Sequence, residues 1–304
     1  MNNTTRSYGP SLEPVYQAIL GLLVLESVII ILTNSLVFVL VAKYKKLRRK
    51  TNYCLISLAT SDLLAGVLIV PLMVACNSLS PPDDADVCAA MDISQRFLSI
   101  STILHVCLAT GERYFKIRFP LRYKYCITGK RIVVALLSVW GVSLATSLVE
   151  LAFMGDKEQE YIYCITCMTI LACVPFLIIV AVNIHTKWII NRGNKARQML
   201  VRNAANDKRK EKQRRAVLVY LAMAVSFMVG WLPYFTLPVI NLRIDLPVWL
   251  GATFILLKFC TSFVNPLLYT FFKTDFNNAL KDMTSREHTP SYRLAAAETR
   301  QTNV

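Results

Sequence analysis

Asp62, Arg96 and Lys258 stand inside runs of leucine, isoleucine, valine and alanine. An ionised side chain buried in such a run costs several kcal/mol unless it meets an opposite charge or a wet cavity, so these positions mark places where charge is handled. Asp92, Gln95, Arg96 and Ser99 follow the i, i+3, i+4, i+7 spacing that puts four side chains on one face of a helix, a face that should line a ligand cavity. Arg96 and Lys258 need acids, and Asp92, Glu150 and Glu26 are the candidates at similar depth. Either these groups neutralise one another, or an anionic or zwitterionic ligand completes the network. Glu112 and Arg113 form a neighbouring charge pair at the end of an apolar segment. This is the chemistry of binding and charge pairing, and no residue is assigned a catalytic role. The nine cysteines show no repeated Cys-x-x-Cys pairing and no partnered histidine, which argues against a zinc site or a small disulfide scaffold. His105 is read as a hydrogen-bonded packing residue facing Trp140 and Ser57, and His185 and His288 belong to no constellation.

The elements that must position these groups follow from composition. The chain has 304 residues, 55% of them hydrophobic and 17% charged, with a net charge of +15 and a mean hydropathy of +0.44. Soluble domains carry about 25% charged residues, so this is a membrane chain whose bases lie outside its apolar segments. The apolar excess excludes a disordered or fibrous chain, and the absence of alternating segments disfavours a β-barrel. The bases are topology signals; no nucleic-acid partner is expected.

A bilayer core needs roughly 20 apolar residues per helix. Seven segments qualify: Val15–Ala42, Asn52–Cys76, Val87–Arg118, Arg131–Ala152, Ile162–Ile190, Arg214–Val239 and Leu246–Phe272. The third is the most polar and should be the most enclosed. After the seventh, Phe272, Phe276 and Leu280 alternate with charges over 273–283 as in an interfacial amphipathic helix. The expectation is therefore an all-α membrane protein, a seven-transmembrane helix bundle over 15–272 with a short amphipathic eighth helix. A tail over 1–14 precedes it and a tail over 284–304 follows.

Loops 43–51, 115–131 and 187–215 hold 23 bases against Asp207 and Glu211, whereas the opposite face is acidic. The positive-inside rule then places the N-terminus outside and the C-terminus in the cytosol. The sequons at Asn2 and Asn3 fall on the outer side, in agreement as glycosylation sites. The first segment is too long and lacks the flanks of a cleavable signal. No internal repeat supports a transporter of duplicated halves.

One group of residues per segment resembles the rhodopsin-like (class A) G-protein-coupled receptors. The residues are Asn34; Leu58, Ala59 and Asp62; Cys88 and Glu112-Arg113-Tyr114; Trp140; Pro175; Trp231 and Pro233; and Asn265-Pro266-Leu267-Leu268-Tyr269. Arg118–Tyr123 and the short loop after the fourth segment place it nearest the adenosine, melanocortin and amine receptors. The resemblance implies a plasma-membrane receptor, not an enzyme, that binds a small extracellular ligand and activates heterotrimeric G proteins.

It also implies roles for particular residues. Asp92, Gln95, Arg96, Ser99, Trp231, Ile255 and Lys258 would form the ligand cavity. Asp62, Thr102, Ser262 and Asn265 would hold an allosteric sodium ion, the alternative being a water-bridged polar cluster; no other metal or cofactor is implied. Ile103, Glu112, Arg113, Tyr114, Pro175, Phe227, Pro233, Asn265, Pro266 and Tyr269 would form the activation switch, with Pro175 and Pro233 as hinges. Arg113, Pro120 and Leu121 would meet the G protein. Phosphorylation of tail residues such as Thr284 and Ser285 would recruit arrestin. Cys88 is expected in a disulfide with Cys164, since Cys167 should already lie within the fifth segment.

Departures matter as much. Amine receptors hold their ligand's ammonium with an aspartate where this chain has Gln95. The retinal-binding lysine of opsins corresponds to Phe259, one residue from Lys258, an offset of about 100° around a helix; an opsin-like photoreceptor is the alternative within the fold, and a transporter the alternative outside it. Gly230, Asn183 and Gln213 replace a cysteine, a tyrosine and an acid of familiar switches. Gln213 in place of the acid weakens the hold on Arg113, so measurable resting activity is expected. Asn183, which replaces a tyrosine that stabilises the active arrangement, opposes this, as does Glu112, which can hold Arg113 unaided.

Overall fold

The computed structural model describes residues 13–78, 85–149, 151, 157–198, 204–241 and 247–287. Among them every regular element is helical. The chain rises through α1 (Glu13–Lys43), whose 31 residues span about 46 Å at 1.5 Å each. It returns through α2 (Tyr53–Leu64), a π turn at Ala65–Ile69 and α3 (Val70–Ser78). A π turn misaligns the carbonyl ladder, and the Ser27 hydroxyl of α1 donates to the Gly66 carbonyl at 2.7 Å, satisfying it from the neighbouring helix.

The third crossing is α4 (Ala85–Arg118), followed by the short α5 (Pro120–Cys126), which starts on a proline whose missing N–H is no loss in a first turn. α6 (Gly129–Val149) is the fourth crossing. The fifth joins α7 (Lys157–Cys167), a π turn at Met168–Cys173 and α8 (Val174–Gln198), the irregularity falling just ahead of Pro175, where the ring would obstruct a regular ladder. α9 (Ala204–Asn241) and α10 (Val248–Phe272) complete the bundle, and α11 (Thr274–Glu287) leaves it at an angle after Lys273.

The expected segments thus correspond to helices, with extensions at the fifth, which runs from Lys157 to Gln198 beyond the expected Ile162–Ile190, and at the sixth. α9 begins ten residues before Arg214, because the basic stretch ahead of it is made of good helix formers that carry the helix beyond its apolar part.

Among the described residues, six spans are long and apolar enough to cross a membrane: Gln17–Lys43, Lys50–Cys76, Gly129–Val149, Val174–Arg192, Val217–Tyr234 and Trp249–Phe272. The crossing that falls short is α4, and the reason is visible in its surroundings. It packs against α2, α6, α8 and α9 and buries Gln95, Ser99, Ser101, Thr102, His105, Thr110 and Glu112. Enclosed by protein on most sides, it needs little apolar surface. The outer helices show the opposite pattern: Leu22, Val24, Leu25 and Leu32 of α1 and Val134 and Leu137 of α6 point outward as they would into lipid.

Two apolar cores result. One lies towards the basic loops, around Leu55, Ile103, Met223, Phe227 and Tyr269; the other lies towards the opposite end, around Ile30, Ile69, Leu98 and Phe259. α9 meets α10 closely at Gly230. A Cβ there would stand 2.3 Å from Thr261 Cγ2 and 2.7 Å from the Leu257 carbonyl oxygen, so only glycine permits this approach.

Candidate functional site: three polar levels along the central helix

α4 carries polar groups at three depths. At the first, towards the acidic loops, Lys258 of α10 is only 1% exposed. Its ammonium stands 3.9 Å from the centre of the Tyr234 ring, 4.5 Å from Phe259 and 5.4 Å from Trp231, and its Nζ has no hydrogen-bond partner. Aromatic faces attract a cation by up to about 2 kcal/mol each when dry, less than a full counter-charge would supply.

Gln95 Nε2 donates to the Tyr234 hydroxyl, and the Gln95 carbonyl oxygen is buried without a donor. Arg96 lies over the Tyr163 ring at 5.3 Å, while the Ser99 hydroxyl turns back to the Arg96 carbonyl at 2.7 Å. Asp92 is exposed and acts on Lys258 electrostatically. Ile255 is partly buried and packs against the second core. Glu26 is not a partner of Lys258; it accepts from the Cys260 thiol at 3.1 Å, because α10 turns Cys260 towards α1 and Lys258 towards α9. Glu150 lies outside the described residues.

The aromatic enclosure was missed in the sequence. Tyr234 follows Trp231 by three residues, on the same helical face, and that spacing was the available signal.

At mid-depth, Asp62 is 1% exposed and accepts from Asn265 Nδ2 at 3.4 Å. Ser262 also hydrogen-bonds Asp62, and Asn34 Nδ2 donates to the Ser262 carbonyl at 3.1 Å. Thr102 is buried at this level. The side-chain oxygens of Asn34 and Asn265 are buried without donors. Alongside, the Trp140 indole N–H donates to Ser57 Oγ at 3.0 Å, and Ser57 meets His105 Nε2 at 2.7 Å. His105 Nδ1 faces the Ser101 carbonyl at 2.7 Å, which can only accept, so Nδ1 carries a proton and donates. His105 is a satisfied packing residue, as expected.

Ile103, Phe227 and Trp231 share the first core, with Trp231 stacked on Phe227 at 5.6 Å, and Pro175 is buried in α8. Pro233 follows in α9 and Pro266 lies inside α10. Tyr269 is fully buried, its ring 5.4 Å from Phe276 and its hydroxyl without a partner.

The third level is the basic end. Glu112 and Arg113, expected as a pair, turn to different partners: the Tyr123 hydroxyl donates to Glu112, and Arg113 lies 5.7 Å from the Tyr220 ring. Adjacent residues on a helix diverge by about 100°, so each takes the partner on its own side. Tyr114 stands against the His185 ring at 5.7 Å. Pro120 and Leu121 are exposed, Leu121 by 83%. The Lys273 ammonium is 5% exposed and donates to Asn52 Oδ1 at 2.6 Å. Burial first, then the nearby Arg113 charge, push its pKa down to about 7. The Gln213 side chain and residues Asn2 and Asn3 lie outside what is described.

The disulfide differs from expectation. Cys88 is bonded to Cys76, with the two Cα atoms 5.1 Å apart. Cys76 near the end of α3 and Cys88 near the start of α4 are 12 residues apart, and the packing of α3 against α4 brings them together. Cys76 was overlooked because partners were sought only beyond the fourth segment.

A bundle of seven crossings around one polar central helix, with a trailing amphipathic helix, is the architecture of a membrane receptor. Residues 33–269 match the family described as 7 transmembrane receptor (rhodopsin family), and the chain belongs to it. It is 28% identical to a QRFP-like peptide receptor of Branchiostoma floridae, over 91% of this chain and 80% of that protein. It is likewise 28% identical to trace amine-associated receptor 1 of Pan troglodytes, over 84% and 85%. Identity to adenosine receptor A2b of Mus musculus is 26%, over 88% of each chain. The chain is a multi-pass membrane receptor and not an enzyme.

Proposed function

We propose that this receptor binds a small extracellular ligand bearing an acidic group, between α4, α9 and α10, and passes the signal to heterotrimeric G proteins at its basic end. The observation that carries the reading is Lys258. It is a buried ammonium enclosed by Trp231, Tyr234 and Phe259 without a hydrogen-bond acceptor, and it faces a helix on which Gln95 stands where amine receptors keep an aspartate. The polarity of an amine site is reversed. A carboxylate entering near Lys258 gains a desolvated ion pair, and the Gln95 amide orients it; Asp92, Arg96, Ser99 and Ile255 surround the approach.

At mid-depth, Asp62, Thr102, Ser262 and Asn265 suit a sodium ion, a fit supported by the donor-free Asn265 oxygen beside the Asp62 carboxylate. The ion would supply positive charge to a buried acid; the side chains themselves tie α2 to α10 and α1. Ligand contact at Trp231 would repack Phe227, Ile103 and Pro175, swing α9 about Pro233 and α10 about Pro266, and release Arg113 and Tyr269. The Pro120-Leu121 knob would then meet the G protein, and phosphorylated tail residues would recruit arrestin. This orientation puts the N-terminal tail, with Asn2 and Asn3, outside and the C-terminus in the cytosol.

The test is a screen of small carboxylic acids, amino acids and amines on cells expressing the chain, with cAMP and calcium readouts. Acids should activate, and Lys258→Met should abolish the response at unchanged surface expression. Activation by amines alone, indifferent to Lys258→Met, refutes the acidic ligand.

A further inference from the structure

At the outer level, two polar atoms of opposite hydrogen-bonding character are buried without partners. Lys258 Nζ is a donor without an acceptor, and Gln95 Oε1 is an acceptor without a donor. Their side chains are nearly closed off, at 1% and 4% exposed. Native proteins rarely leave such groups unpaired, because a buried polar atom without a partner is costly, most of all on a charged group.

Tyr234 gathers both. The Lys258 ammonium lies over the face of its ring, 3.9 Å from the centre, and Gln95 Nε2 donates to its hydroxyl. That hydrogen bond occupies the amide nitrogen and holds Gln95 Oε1 near the hydroxyl end of the ring. Donor and acceptor are therefore separated by about the width of one ring, with Phe259 and Trp231 walling the ammonium at 4.5 and 5.4 Å.

A complementary ligand reverses both groups: it brings an acceptor to Lys258 and a donor to Gln95. A carboxylate meets the first demand with a charge-assisted hydrogen bond. Alone it fails the second, since a carboxylate oxygen against the Gln95 carbonyl oxygen sets acceptor against acceptor. Hydrogen bonds reach about 2.7–3.2 Å from each side, so the ligand's own acceptor and donor must stand on neighbouring atoms. A hydroxyl or an ammonium on the carbon next to the carboxylate has that spacing. Asp92, exposed one turn further out on α4, offsets the repulsion between Lys258 and a ligand ammonium.

We propose that the site takes a small carboxylate with a hydrogen-bond donor on the adjacent carbon, a 2-hydroxy or 2-amino acid, its carboxylate on Lys258 and its donor on Gln95 Oε1. This rests on the acidic-ligand reading and narrows it.

The purified full-length receptor is titrated in detergent with 3-phenylpropanoate, its 2-hydroxy derivative phenyllactate and its 2-amino derivative phenylalanine. Propanoate, lactate and alanine form a smaller set. The ligand-dependent rise in melting temperature reports affinity. 3-(4-Hydroxyphenyl)propanoate, with its hydroxyl at the far end, controls for added polarity.

In one set or both, the 2-substituted acid should bind about tenfold more tightly than the unsubstituted acid, as one hydrogen bond to a buried carbonyl provides. Gln95→Met removes the acceptor at similar length and should bring the two within about twofold of each other while leaving the unsubstituted acid unchanged. Lys258→Met should weaken every acid. A preference for the hydroxyl assigns a hydroxy acid and a preference for the ammonium an amino acid; either supports the inference. Acids that bind through Lys258 with no gain from the 2-substituent, an equal gain from the distant hydroxyl, or a preference that survives Gln95→Met would each overturn it and leave the acidic-ligand reading standing. Failure of every acid to bind the parent receptor overturns both. The comparison within the parent requires no variant and decides by itself if Gln95→Met does not fold.

Discussion

Gly230→Ala adds one methyl group where α9 and α10 are closest. That methyl would lie 2.3 Å from Thr261 Cγ2 and 2.7 Å from the Leu257 carbonyl oxygen, where ordinary contact begins at 3.4 Å. The threonine methyl is part of a side chain and can turn away, but the carbonyl belongs to the α10 backbone and cannot. The helices must therefore separate, and overpacking of this kind costs about 1–3 kcal/mol. At roughly 2–4 °C per kcal/mol for a chain of this size, the melting temperature should fall by about 2–12 °C. The assay is thermal unfolding in detergent, with Gly141→Ala as control because a methyl at Gly141 meets nothing within 4 Å. Thr261→Ser combined with Gly230→Ala removes the methyl clash and leaves the carbonyl clash, so it should recover only part of the loss. A melting temperature for Gly230→Ala within about 1 °C of the parent would refute the reasoning.

Cys76→Ser and Cys88→Ser should each destabilise by about 2–4 kcal/mol and should not add when combined, since both open one short loop; Cys164→Ser should leave the Cys76–Cys88 peptide intact in non-reducing maps. Lys258→Met replaces a buried ammonium without an acceptor by an apolar chain of similar length, and should raise thermal stability by about 1–4 kcal/mol; a lower melting temperature would mean that Lys258 is already neutralised. Lys273 gives a pH dependence. Its folded pKa, about 7, is below the 10.5 of an unperturbed lysine, so between these values the unfolded chain holds more protons and stability rises with pH by about 1.4 kcal/mol per unit. Below pH 7 the lysine is charged in both states and the burial penalty is constant. Arg113 and Lys116 oppose its charge, while Asp275 and Glu112 favour it. Melting curves at pH 7 and pH 9 should differ in this sense for the parent and less for Lys273→Met; equal shifts in both would remove Lys273 as the cause.

The sequence by itself determined the seven crossings, because the length and hydropathy of a spanning helix are set by the bilayer and are written locally. It also determined the family, since Asp62, Glu112-Arg113-Tyr114, Trp231 and Asn265–Tyr269 stand in order along the chain. It anticipated that the polar third segment would be enclosed, as α4 is.

Partner choice was another matter. Glu26 and Asp92 looked equally able to serve Lys258 at the level of spacing, yet α10 turns Cys260 to Glu26 and leaves Lys258 against three aromatic rings. Glu112 took Tyr123 in place of Arg113, and Cys88 took Cys76 in place of Cys164. In the same way, Gln95 and Lys258 meet at Tyr234 from three different helices, which no local pattern connects. Periodicity fixes which face of a helix a side chain occupies, but helix rotation and tilt decide what that face meets, and those are set by packing contacts between residues far apart in the chain, such as Gly230 against Leu257.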